Sequence, residues 1–190
     1  MKHWPVPNSY SKIIPAAGPG SFLENRGDRR HCGVDIYAPE GSDVFSIEEG
    51  KVIDIGIFTS PDKVSYWNHT RYVSVENKTG LICRYAELGD VTVMVGESVK
   101  AGQLIGHIGL VLDADKVTRD SPPYIQKIKK KENLSMLHFE LYKSFPTETN
   151  EYLGGNWFGD TKPKNLLDPS DYLRATLEPL EKLYVSGSQM

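Results

Sequence analysis

His31 and Asp35, four positions apart in Arg30-His31-Cys32-Gly33-Val34-Asp35-Ile36, and His138 in Leu137-His138-Phe139-Glu140 are the residues whose types and spacing could do chemistry. Two imidazoles and one carboxylate are the nitrogen and oxygen donors that hold a catalytic zinc ion through three protein ligands, leaving a coordination position for chemistry. A lone histidine is more often an ordinary surface or core residue, so the case rests on context. In Met136-Leu137-His138-Phe139-Glu140-Leu141-Tyr142, strand alternation puts Met136, His138 and Glu140 on one face and Leu137, Phe139 and Leu141 on the other. His138 then faces a cleft while its neighbours fill a core. His3, His69 and His107 have no such context and are read as structural, with a cleft-rim position as the other option for His69. Cys32, beside one donor, is read as a small buried strand residue, with thiolate ligation as its alternative.

The elements that must position these donors are mainly strands. Short apolar or alternating runs recur between Gly41 and Gly109: Val44–Ile47, Gly50–Gly56, Tyr72–Glu76, Leu81–Tyr85, Val91–Val93 and Leu104–Gly109. Glu76-Asn77-Lys78-Thr79-Gly80 supplies turn chemistry for a hairpin, and no helix-period stretch interrupts the series. The expected fold is all-β, an antiparallel sandwich or barrel. Residues 111–134 lose the pattern in favour of Asp, Lys, Arg and Pro; this insertion is expected to be a solvated, partly disordered excursion, with a substrate-gripping lid as the alternative. Near the C-terminus a short helix is expected, capped by Asp168 with Pro169 at its first position and carrying Tyr172, Leu173, Leu177 and Leu180 as an apolar stripe that Pro179 ends. The division expected is an N-terminal segment 1–27, a β-domain 28–145 and an extension 146–190.

Composition narrows the function classes. The 190 residues are 39% hydrophobic and 25% charged, with a net charge of -3, which gives no electrostatic case for nucleic acid or an anionic membrane. No apolar run reaches the roughly eighteen residues of a membrane span, and the N-terminus lacks the apolar core of a secretory signal. As written, the chain is therefore expected to be cytoplasmic, or extracellular or in the cell wall if a leader has been removed. Two cysteines exclude a disulfide framework.

The His31–Gly41 run and the Leu137–Glu140 run resemble the two signature segments of the lysostaphin-type (LytM-like) zinc endopeptidases, which cut peptide cross-links in bacterial cell walls. Val95–Gly106 is similar to a further β-hairpin element of that family, which also occurs in biotinyl and lipoyl carrier domains. The resemblance covers roughly residues 28–142. It implies one zinc ion held by His31, Asp35 and His138, and a peptide or peptidoglycan substrate. Two further histidines of the family's site are absent: one position aligns with Met136 and the other with Glu87 in Arg84-Tyr85-Ala86-Glu87-Leu88. A thioether cannot shuttle a proton, whereas a carboxylate near zinc can act as a base. Three readings stay open: a metallopeptidase with Glu87 as general base and Tyr85 assisting, an inactive zinc-binding descendant acting as a binding or regulatory module, and a carrier-like β-domain without metal. Because zinc needs deprotonated imidazoles, binding is expected to fail below about pH 6.

Overall fold

The computed structural model describes residues 2–131, 134–146 and 149–177. Its strands are β1 Arg30–His31, β2 Val34–Tyr37, β3 Asp43–Phe45, β4 Gly50–Thr59, β5 Thr70–Asn77, β6 Ile82–Val91, β7 Ser98–Val99 and β8 Leu104–Ile108. Helix α1, Pro123–Lys130, precedes β9 Met136–Tyr142, β10 Tyr152–Leu153, β11 Asn156–Trp157, β12 Leu166–Leu167 and helix α2, Ser170–Arg174. One sheet runs β12-β9-β6-β5-β4-β7, with β2 on β9, β8 on β6 and β3 on β8; a small sheet runs β1-β11-β10. The strand pairings are antiparallel. The expected all-β antiparallel class is the observed one.

Alternation decides which side chains enter the main apolar core. Val73, Val75, Cys83, Tyr85, Leu88, Leu137, Phe139 and Leu141 bury into the main core. Each large apolar side chain withdrawn from water contributes about 1.5–3 kcal/mol, enough to fix the register against a one-residue slip that would turn all of them out of this core. Trp4, Val6 and Ile14 from the N-terminal segment and Tyr172 and Leu173 from α2 complete the same core. The Glu76–Gly80 turn forms as its chemistry dictates. The Asn77 side chain accepts from the backbone N–H of Thr79 (2.9 Å) and Leu81 (3.1 Å), and Gly80 adopts φ +81°.

Two sequence expectations change. The described residues of the 111–134 insertion are more than a solvated excursion: a 3-10 turn at Ala114–Lys116 and helix α1 fold Val111, Leu112, Val117 and Ile125 against Trp67 and Met136 in a second small core, while the lysines stay exposed. No residue of the insertion alone could form that core; Trp67 and Met136 come from elsewhere in the chain. The C-terminal helix begins later than Pro169, which is its N-cap, while the Asp168 carboxylate accepts from the N–H of Ser170 at 2.9 Å. Leu177 is exposed, and Pro179 and Leu180 lie outside the described residues. Among the described residues no helix is long and apolar enough to cross a membrane.

Candidate metal centre

Strand β2 lies antiparallel to β9 with Asp35 directly opposite His138, so the two side chains leave the same face while Val34, Ile36, Leu137 and Phe139 enter the core. His31 ends β1, and the chain turns through Cys32 and Gly33 into β2. A Cβ at Gly33 would lie 2.4 Å from the Phe139 carbonyl oxygen and 2.9 Å from the His138 ring. Glycine thus lets the backbone pass close against β9 and delivers His31 to His138. His31 Nε2 lies 3.0 Å from Asp35 Oδ1 and 2.9 Å from His138 Nδ1, and His138 Nδ1 lies 2.9 Å from Asp35 Oδ1. The donor atoms of the three predicted ligands fall within 4.8 Å of one another.

The surrounding hydrogen bonds aim these donors. His31 Nδ1–H donates to the Ser21 carbonyl at 2.8 Å, which turns the Nε2 lone pair inward. His138 donates from Nε2 to Glu140 Oε1 at 3.1 Å, which leaves Nδ1 for the centre. Glu140 is fixed in turn by the hydroxyls of Tyr142 (2.7 Å) and Tyr152 (2.8 Å) and by Arg84 (3.4 Å). Arg26 occupies Asp35 Oδ2 at 3.1 Å and leaves Oδ1 inward. A tetrahedral zinc ion with bonds of about 2.0–2.1 Å separates its donors by roughly 3.3 Å, so a triad at 2.9–3.0 Å needs only a small expansion to take one.

Electrostatics agrees with a cation-seeking site. Burial alone would raise Asp35, but the two histidines hold its carboxyl well below the usual range. Burial lowers His138, yet its hydrogen bonds to Asp35 and Glu140 outweigh that and push it up to about 9. Burial also opposes ionisation of Glu140, which the hydrogen bond and charge of His138 nonetheless bring down to about 2. His31 is lowered, mainly by burial. In the metal-free protein a proton on His138 Nδ1 therefore points at the lone pairs a metal ion would use.

Glu87 joins this face by a backbone irregularity. It adopts φ +65° at a register shift where Tyr72 pairs with Ala86 and Arg71 with Leu88, so Glu87 is the extra residue of a bulge. The bulge returns Leu88 to the core and turns Glu87 toward Thr70 and Thr59, whose hydroxyls meet its Oε2 at 2.7 and 3.4 Å. Burial pushes its carboxyl up to about 7, moderated by Thr70 and by the nearby His138 charge. Tyr85, the sequence-based choice of catalytic helper, is on the other face. It stacks edge-on to Phe139 at 5.3 Å, and its hydroxyl oxygen accepts from the Ile47 N–H at 2.8 Å inside the core. The expectation assumed a regular strand; the bulge brings in Glu87 without Tyr85. Met136 is buried in the second core, and Cys32 packs with Ile82, Tyr142, Trp157 and Leu166 outside the donor group.

The raised Glu87 pKa carries a stability consequence. An unfolded carboxyl ionises near 4.5, whereas the folded one holds its proton to about 7. Ionisation therefore costs nothing below pH 4.5 and grows to about 3 kcal/mol above pH 7. Metal-free Glu87→Gln is expected to be more stable than wild type at pH 8 and equal to it at pH 4, as read from urea midpoints; no gain at pH 8 would contradict the buried carboxylate.

A hairpin roofs the site. Strand β11 pairs onto β1 with Asn156 opposite His31, and β10 onto β11; Cys32 N–H donates to the Gly155 carbonyl at 2.8 Å, and Asn156 Oδ1 accepts from Arg26 at 3.2 Å. His31, Asp35, His138 and Glu87 are 0, 6, 4 and 5% exposed in consequence. A Cβ at Gly155 would lie 2.7 Å from the His138 ring, and φ there is +75°. Gly155→Ala is accordingly expected to lower unfolding free energy by about 1–3 kcal/mol and to weaken metal binding about tenfold. Unchanged urea midpoint and metal titration would remove the hairpin from the site's support.

Sequence reasoning missed Ser21, Arg26, Tyr152 and Asn156, which belong to segments without periodicity and meet the site only in three dimensions. The Tyr-Leu-Gly-Gly-Asn-Trp run carried the one available signal, a tight glycine turn between aromatics. His107 pairs with Asp90 at 2.7 Å, away from the donor triad.

Comparison with known proteins supplies the lineage. The chain is 33% identical over 102 residues to the glycyl-glycine endopeptidase ALE-1 of Staphylococcus capitis, covering 54% of this chain and 26% of ALE-1. It is 28% identical over 106 residues to the uncharacterized lipoprotein YgeR of Escherichia coli (strain K12), covering 56% of this chain and 39% of YgeR. The chain thus spans less than half the length of these curated relatives. The solution structure of lysostaphin matches with TM-score 0.53 and 20% identity over 93% of this chain and 56% of lysostaphin, a likeness of fold. The family model of peptidase family M23 matches residues 29–151, more than half of the chain and inclusive of all three donors, and the protein belongs to that family.

Proposed function

We propose that this chain is a zinc-dependent metalloendopeptidase in which His31, Asp35 and His138 hold one ion and Glu87 is the general base, acting on peptide bonds of peptidoglycan cross-links or stem peptides. The observation that carries this reading is the convergence of the three inward-aimed donors with a buried carboxyl poised near neutrality on the same face. Bound zinc supplies a Lewis acid for a carbonyl oxygen and for water. The residues around it supply the rest. Glu87 accepts a proton through the oxygen that Thr70 leaves free, since the hydroxyl of Thr70 holds Oε2. Glu140 keeps His138 in one tautomer, and the Phe58 ring, 5.3 Å from that of His138, excludes water from its flank. The substrate class follows from family membership and from the activity in the name of ALE-1. A cell-envelope location goes with such a substrate, and YgeR is named a lipoprotein.

The roof over the site and Met136 favour a second reading, an inactive zinc-binding descendant that serves as a binding or regulatory module. Incubation of zinc-loaded protein with purified peptidoglycan and with glycine- or D-Ala-containing peptides separates the two. Released fragments that disappear with chelation support the peptidase; none from any substrate leaves the binding module.

A further inference from the structure

Helix α1 closes a cavity of about 260 Å³ against the N-terminal loop, with Glu24, Arg26, Tyr37, Tyr124, Lys127 and Lys131 in its lining. It adjoins the metal centre. Arg26 reaches from this lining to Asp35, and Tyr37 leaves β2 on the same side as Asp35, two residues on. Its volume is below the roughly 300–1,000 Å³ of pockets that enclose a whole small molecule, and suits one side chain of a longer ligand.

The charges of the lining do not cancel. Arg26 is committed to Glu24 at 3.0 Å and Asp35 at 3.1 Å, and its guanidinium lies 4.6 Å from the Tyr124 ring, which docks α1 on the loop. Glu24, the carboxylate of the lining, also accepts from the Gly20 N–H at 3.2 Å. Lys127 and Lys131, four apart and so on one flank of the helix end, have no carboxylate within 4.0 Å among the described residues. Two lysines without a carboxylate partner among the described residues thus share this lining with Tyr37 and Tyr124.

We propose that this cavity is a substrate subsite that takes the side-chain carboxylate of an acidic residue, with Lys127 and Lys131 as its counter-charges. The proposal rests on the peptidase reading and names its substrate class, a peptide carrying a free carboxylate beside the cleaved segment. It also gives the insertion a role: the second core around Trp67 and Met136 holds α1 where its lysines line this cavity.

The test is equilibrium binding of dansyl-Ala-Glu-Gly-Gly-Gly-amide and its Gln counterpart to the zinc-loaded full chain, read by fluorescence anisotropy, with cleavage of both followed separately by chromatography. The Glu peptide is expected to bind about fivefold tighter at low salt, as two solvent-accessible ion pairs allow, with the preference falling toward unity in about 0.5 M salt and in the K127Q/K131Q variant. Both lysines are exposed, so the variant keeps its core. Equal binding of the two peptides to wild type, a preference that survives in K127Q/K131Q, or no binding of either would overturn the subsite. Cleavage without a charge preference removes the subsite and keeps the peptidase; a lysine-dependent preference without cleavage keeps the subsite and removes the peptidase.

Discussion

Protein loaded with zinc and dialysed is expected to retain one ion per chain, and His138→Ala none. His138 contributes one of three donors, and its Nδ1 stands 2.9 Å from both of the others. Loss of an outer partner alone weakens metal sites by about 10–100-fold, so removal of a donor should exceed that range, while Glu140→Gln, which loses only the carboxylate that orients His138, should fall within it. Proton competition gives a second readout. A free histidine loses its proton near 6.5, but His138 holds one to about 9 because Asp35 and Glu140 favour its charged form over the opposing effect of burial. Zinc must displace that proton. Apparent affinity should thus fall about tenfold per pH unit below 9, so weakening begins well above the pH near 6 that an ordinary histidine implies. Zinc absent from wild type, or stoichiometric in His138→Ala as measured by atomic absorption, would dispose of the metal centre.

The parts of the centre legible in the sequence are those set by local rules. Alternation along Met136–Tyr142 places His138 on the face away from the core, and the β2–β9 register then puts Asp35 across from it. The Asn77–Gly80 turn needed only its own residues. Long-range encounters were not legible. Nothing in Arg84-Tyr85-Ala86-Glu87-Leu88 signals a non-glycine residue at φ +65°, so a regular strand put Tyr85 on the same face as Glu87, whereas the Tyr85 hydroxyl lies in the core. That conformation is sparsely populated for a residue with a side chain, and here it coincides with Leu88 regaining the core and Glu87 gaining the Thr70 hydroxyl. The insertion failed for a related reason. Its few apolar residues are too sparse to form a core until Trp67 and Met136 join them. Arg26 is 130 positions from Asn156, a separation over which no periodicity speaks.

Replacement of Glu87 by glutamine is expected to leave zinc bound and to lower peptide turnover by about 10²–10⁴-fold, the usual contribution of a positioned general base. The amide keeps the size of the carboxylate and its acceptor for the Thr70 hydroxyl, so geometry is retained and only the proton-accepting oxygen is lost. In wild type the rate should rise with pH as Glu87 ionises. The metal-free midpoint is about 7, set by burial, and a nearby divalent cation favours the carboxylate, so the rising limb belongs at or below 7 and should be absent from Glu87→Gln. Restoring histidine tests the same logic in reverse. Glu87→His supplies an imidazole on the site face, whereas Met136→His places a polar ring among Trp67, Leu112 and Ile125 and should destabilise that core. If wild type cleaves peptide and Glu87→Gln cleaves it equally fast, the base lies elsewhere; if neither cleaves while both hold zinc, the roofed centre serves binding, and the lost histidines mark the loss of catalysis.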